Sequence, residues 1–137
     1  MTKYALMTLA VLLCASVVAV AQNPITADSP YQVRYTENLN LSDARIRIVN
    51  TGANGGLPVC ANVYGFAATT GQMTSCCSCL IRANALASLS VWQNLLLDSP
   101  PVSPTPNALV IKLVASTPVG GVCNPVVITT LLTGMAA

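Results

Sequence analysis

An all-β fold is what this chain predicts, and three observations predict it. Apolar and polar residues alternate with a period of two over several short segments, the spacing of half-buried strands. Clusters of glycine, proline and asparagine separate those segments, as turns separate the strands of a small β domain. Charged residues make up only 7% of the chain while 53% is hydrophobic, the opposite of the balance that leaves a chain disordered.

The first element is not a strand. Lys3 precedes an apolar run from Ala5 to Ala21 that ends Ala19-Val20-Ala21 and is followed by polar Gln22-Asn23-Pro24. A basic start, an apolar middle and small residues before a polar boundary make a secretory signal peptide over residues 1–21, cleaved between Ala21 and Gln22. At 17 residues the run is short for a membrane span, which needs about 20, so it touches the membrane only if it stays uncleaved. Export places the chain in the periplasm, at the cell surface or outside the cell. Residues 22–30 then read as an extended leader, and 31–137 as one domain, since 116 residues after cleavage suit one core.

Within that domain, Tyr31, Val33 and Tyr35 alternate with Gln32, Arg34 and Thr36 as a first half-buried strand. Arg45 to Asn50 repeats the device with Ile46 and Ile48 inward. After the turn-rich stretch Thr51 to Gly56, Val59 to Phe66 forms a third strand, with Val59, Ala61, Val63 and Gly65 on one face. Met73 to Ile81 is the fourth and carries three cysteines. Leu86 to Leu97 shows both helical and strand spacing, and its serines favour a strand through Val91. Four prolines between Asp98 and Asn107 make a stiff loop. Ala108 to Val114 is the strongest strand, covered on both faces, and after the Thr117 to Gly121 turn, Val126 to Leu132 is the last. Six or seven short strands in this pattern suggest a β-sandwich of Ig-like, Greek-key type. Ile46, Ile48, Val63, Leu109, Ile111 and Leu113 are its expected core.

Cys60, Cys76, Cys77, Cys79 and Cys123 follow the signal segment, and in an exported chain they are disulfide candidates. Strand alternation puts Cys77 and Cys79 on one face and Cys76 on the other. Cys60, in the preceding strand, is expected to bridge to the Cys76–Cys79 cluster, with Cys123 free to take another partner. Five is odd, so one thiol is left over. The alternative is a copper or zinc site, or a thiol-redox centre, built from Cys60, Cys76, Cys77 and Cys79. Compartment favours disulfides, and no histidine is present to favour metal chemistry.

Catalytic equipment is sparse. Without histidine there is no Ser-His-Asp or Cys-His arrangement. The acids after residue 21, Asp28, Glu37, Asp43 and Asp98, are dispersed, and an enzyme would need Asp43 or Asp98 to meet an Arg or Tyr across a pocket. The basic residues Arg34, Arg45, Arg47, Arg82 and Lys112 form no patch, so nucleic acid is not an expected partner. Asn40-Leu41-Ser42 fits a glycosylation acceptor, which matters only in a eukaryote. Tyr31, Tyr35, Tyr64, Phe66 and Trp92 read as core or cross-strand residues. No cofactor is expected. The chain therefore reads as a non-catalytic exported protein acting by contact, with a protein partner or a second copy. Its apolar end, Val126 to Ala137, is suited to completing its own sheet or to pairing with another chain's edge.

The Ser75-Cys76-Cys77-Ser78-Cys79-Leu80 segment, within Val63 to Leu80, resembles a group of small exported bacterial proteins of uncharacterised function, and Leu89 to Ser116 does so more loosely. The resemblance implies export and a bacterial source, and assigns no residue a role.

Overall fold

The computed structural model describes residues 29–97, 104–128 and 130–137. The signal segment, the Ala21–Gln22 cleavage point, most of the leader and the start of the proline loop, including Asp28 and Asp98, lie outside the described residues. The fold is mostly β, in two antiparallel sheets. Strands β1 (Tyr31–Thr36), β3 (Val59–Ala67), β4 (Met73–Ile81) and β6 (Leu109–Ser116) form one sheet in the order β1-β6-β3-β4. Strands β2 (Arg45–Asn50), β5 (Ala85–Ser90) and β7 (Met135–Ala136) form the other in the order β5-β2-β7.

Alternation decides which side chains are buried. In β2 the isoleucines Ile46 and Ile48 turn inward while Arg45 and Arg47 stay in solvent. In β3 the inward set is Val59, Ala61 and Val63, aligned with Ile81, Cys79 and Cys77 of β4 and with Ala115 and Leu113 of β6. Ile46, Ile48, Val63, Leu109, Ile111 and Leu113 are all buried, and they join residues of both sheets in one apolar cluster. Gly65 belongs to this inner face because a Cβ there would sit 2.6 Å from Ser75 Oγ. A register shift follows it, between Gly65 and Phe66.

Three expectations are corrected. The strand expected to run through Val91 ends at Ser90, and Val91–Leu97 winds into a π-helical segment that buries Val91 and Leu95. Its start is well capped: Ser90 Oγ accepts from Gln93 N at 2.9 Å, Asp43 Oδ1 accepts from Trp92 N at 2.9 Å, and Asn94 Oδ1 accepts from Ser90 N at 2.8 Å. A serine followed three residues on by glutamine is a helix-start signature, and here it overrides the strand pattern.

The second correction concerns the chain end. Among the described residues no strand forms over Val126 to Leu132; Leu131 makes one bridge to Ser116, and the pairing with β2 is made instead by Met135 and Ala136. Asn124 Oδ1 takes the Val126 N–H in a turn beside Pro125, and the chain then meets the end of β6 through Thr117 N to Thr130 O (2.8 Å) and Leu132 N to Ala115 O (3.1 Å).

The third concerns β1. Its apolar side chains do not reach the core: Tyr31, Val33 and Tyr35 are 55%, 59% and 61% exposed. Pairing with β6 sets Gln32 opposite Leu113 and Arg34 opposite Ile111, so the polar residues of β1 take the inner face. Gln32 is used there. Its Nε2 donates to Met135 O at 2.8 Å and its Oε1 accepts from Ala137 N at 3.1 Å, tying the first sheet to the last strand of the second.

Candidate functional site: the outer face of the four-stranded sheet

The residues of β1, β6, β3 and β4 that turn away from the core make a continuous outer face. From β1 come Tyr31, Val33 and Tyr35, and from β6 come Val110, Lys112 and Val114. Strand β3 adds Cys60, Asn62, Tyr64 and Phe66, and β4 adds Leu80, Ser78 and Cys76 opposite the first three of these. Lys112 is the only charged residue of the set, and its ammonium lies 4.8 Å from the Phe66 ring centroid, in cation–π range.

Residues 117–128 lie as a strap over part of this face. The strap begins with a hairpin in which Val119 and Val122 exchange two 3.0 Å backbone bonds around Gly120 and Gly121. Both glycines have positive φ (59° and 78°), as a two-residue hairpin turn requires. Two contacts then hold the strap to β3: the Cys60–Cys123 disulfide, and a hydrogen bond donated by the Tyr64 hydroxyl to Pro125 O. Asn62, between these two anchors in sequence, is fully buried and satisfied. Its Nδ2 donates to Val114 O (3.0 Å) and Ser116 Oγ (2.9 Å), and its Oδ1 accepts from Ser78 Oγ at 2.7 Å. Burial raises the Tyr64 phenol above its ordinary value, with the neighbouring Cys76 adding to the effect.

The disulfide corrects the expected pairing. Cys60 bonds Cys123, while Cys76, Cys77 and Cys79 remain thiols. Register gives the reason: Cys60 stands opposite Leu80 on the outer face, whereas Cys79 and Cys77 stand opposite Ala61 and Val63 on the inner face. The Cys77/Cys79 alternation against Cys76 is as the strand period dictates, since Cys77 and Cys79 pack against the core and Cys76 is exposed. The same geometry dismantles the four-thiolate arrangement, because Cys60 is oxidised and the other three are split between two faces. Among the described residues no group of three or more metal-ligating side chains comes together. Burial pushes the Cys79 thiol above its ordinary value.

Of the acids after residue 21, Glu37 and Asp43 are among the described residues. Asp43 caps the Val91–Leu97 segment, and the Trp92 N–H bond holds its carboxyl below the usual range, against some desolvation. Glu37 Oε2 accepts from the Tyr35 hydroxyl at 3.3 Å. A cleft of about 320 Å³ beside the strap is lined by Ser116, Thr117, Val119, Val122, Asn124 and Val127. A second, of about 220 Å³, lies between the β3–β4 turn and Pro104–Asn107. Among the described residues, neither is lined by a titratable side chain.

Tyr31 and Tyr35 are exposed, and Tyr64 and Phe66 are half-buried on the outer face, so these four are cross-strand residues of the sheet and not core. Comparison with family models, curated proteins and solved structures found no match.

Proposed function

We propose that this chain is an exported, non-catalytic protein of the cell envelope or extracellular space, an Ig-like β-sandwich that acts by contact. The observation that carries the reading is the outer face: a sheet surface with one charge, the exposed Tyr31, Val33 and Tyr35 at its edge, and a strap whose Val119, Val122, Val126 and Val127 are also exposed. Apolar surface presented in this way marks an interaction site on a soluble domain more often than it marks chance. The Cys60–Cys123 disulfide is compatible with an oxidising compartment, and the likeness of the Ser75–Leu80 segment to exported bacterial proteins points the same way. Support for the sandwich comes from the single apolar cluster shared by the two sheets and from a chain that alternates between them.

Photoreactive residues placed singly at Tyr35, Leu80 and Val126 in the native host test the reading. Adducts are expected in the envelope or extracellular fraction, on a chain whose intact mass begins at Gln22. A chain retaining Met1 in the cytosol, or one giving no adduct at any of the three positions, overturns it.

A further inference from the structure

The open edge of the four-stranded sheet has a sequence that complements itself. Ala115 N donates to Pro30 O at 2.8 Å, which sets the phase of the β1–β6 ladder. Even-numbered residues of β1 direct their backbone groups to β6, and Tyr31, Val33 and Tyr35 direct theirs to the open edge. Local side chains confirm that phase. Ser29 Oγ accepts from Tyr31 N (3.2 Å) and donates to Tyr31 O (2.8 Å), and Arg34 donates to Val33 O at 3.1 Å. Among the described residues, no second strand pairs with this edge.

We infer that β1 pairs antiparallel with β1 of a second copy, about a two-fold axis through Val33, joining two four-stranded sheets into one. The segment Tyr31-Gln32-Val33-Arg34-Tyr35 reads nearly the same in both directions. With Val33 opposite Val33 of the second copy, each Tyr31 faces a Tyr35, and all three edge-directed residues fall in hydrogen-bonded pairs. The two tyrosine pairs add cross-strand aromatic contact on the outer face. On the inner face each Gln32 faces an Arg34, so the 3.1 Å Arg34–Gln32 bond within the strand is remade between copies. A register one pair further along sets Arg34 against Arg34, which like-charge repulsion disfavours. A register one pair back removes both tyrosine pairs.

A contact of six residues a side is small beside the roughly 20–30 of a standard interface, so the dimer is concentration-dependent. Ser29 and Arg34 must also release the carbonyls they now occupy. The inference rests on the contact reading and names its partner as a second copy.

Light scattering on the chain expressed from its full sequence, between about 1 µM and about 1 mM, reads the dimer directly. The wild type is expected to double in mass across that range. Val33→Pro is expected to stay monomeric with an unchanged β spectrum, since the N–H it removes points away from β6. Val33→Lys serves the same purpose should the proline variant fail to fold. Register is read by cysteine substitution in a Cys76→Ser background. Val33→Cys is expected to give a covalent dimer on mild oxidation, because paired Cα atoms there lie about 5.5 Å apart. Tyr31→Cys is expected to give none, since its copy lies about 14 Å away along the strand. A wild type that stays monomeric throughout, a Val33→Pro or Val33→Lys dimer, or equal cross-linking at 31 and 33 overturns the inference. Adducts still found at Leu80 or Val126 would then leave the contact reading standing, and their absence as well would remove both.

Discussion

Asp43, one of two acids that an enzyme would need across a pocket, caps a helical segment in the fold. It is an isolated acid before an arginine-rich strand, and its carboxylate ends up accepting the Trp92 N–H at the head of the Val91–Leu97 segment. Because that bond favours the ionised form, the folded-state pKa lies below the unfolded value. The stabilisation is therefore full above the unfolded pKa and is lost as pH falls through the lower, folded one. Asp43→Ala should cost about 1 kcal/mol at neutral pH, as loss of a helix cap does. The difference from wild type should shrink as pH falls below about 4. Thermal melts at pH 7 and at successively lower pH would check this; a gap that is constant with pH would mean the charge plays no part. Asn62 makes the converse point. In the sequence it is one more polar residue on the outer side of a strand. It is completely buried between Cys60 and Tyr64, the two β3 residues that bind a strap more than 60 residues away, and nothing local signals that.

At the scale of the strand, β4 divides a run of cysteines between two environments. Cys76 faces solvent beside Tyr64, whereas Cys77 and Cys79 pack against the core, and burial holds the Cys79 thiol above its ordinary value. In the folded, oxidised protein at neutral pH, iodoacetamide should therefore modify Cys76 first and Cys79 last, with Cys60 and Cys123 protected until reduction. Peptide mapping over a time course reads the order, and equal rates at Cys76 and Cys79 would contradict this packing. This alternation was legible from the period of a strand, as were the inward isoleucines of β2 and the buried leucines of β6. The pairing of Cys60 was not, because it depends on the β3–β4 register, which a single sequence leaves open. For β1 the period was right but the buried side was not, since register with β6 turned Gln32 inward and left the tyrosines outside. The strand expected through Val91 forms as Ala85–Ser90, and the Ser90-Val91-Trp92-Gln93 start signal marks where it gives way to the segment that follows.

For the molecule as a whole, the decisive long-range link is the Cys60–Cys123 bridge, which joins the third strand to a segment of little regular structure. The two cysteines are 63 residues apart, and chain-entropy reasoning gives such a loop about 4 kcal/mol of stabilisation through the unfolded state. Together with the Tyr64 hydrogen bond to Pro125, the bridge also binds the middle of the strap to β3. Removing it should therefore have a global and a local effect, and the two are separable. The ladders joining β3 to β4 and β6 do not involve residues 117–128, so a Cys60→Ser, Cys123→Ser double variant should keep its β spectrum. Its denaturation midpoint should fall by an amount equivalent to at most about 4 kcal/mol. In hydrogen exchange, protection should be lost first across residues 117–128 and next around Asn62, whose cover the strap provides, while β6 and the inner face of β3 hold. Uniform loss of protection through both sheets would instead mean that the bridge holds the core together. An unchanged midpoint would mean that the strap stays in place through Tyr64 and its apolar contacts alone.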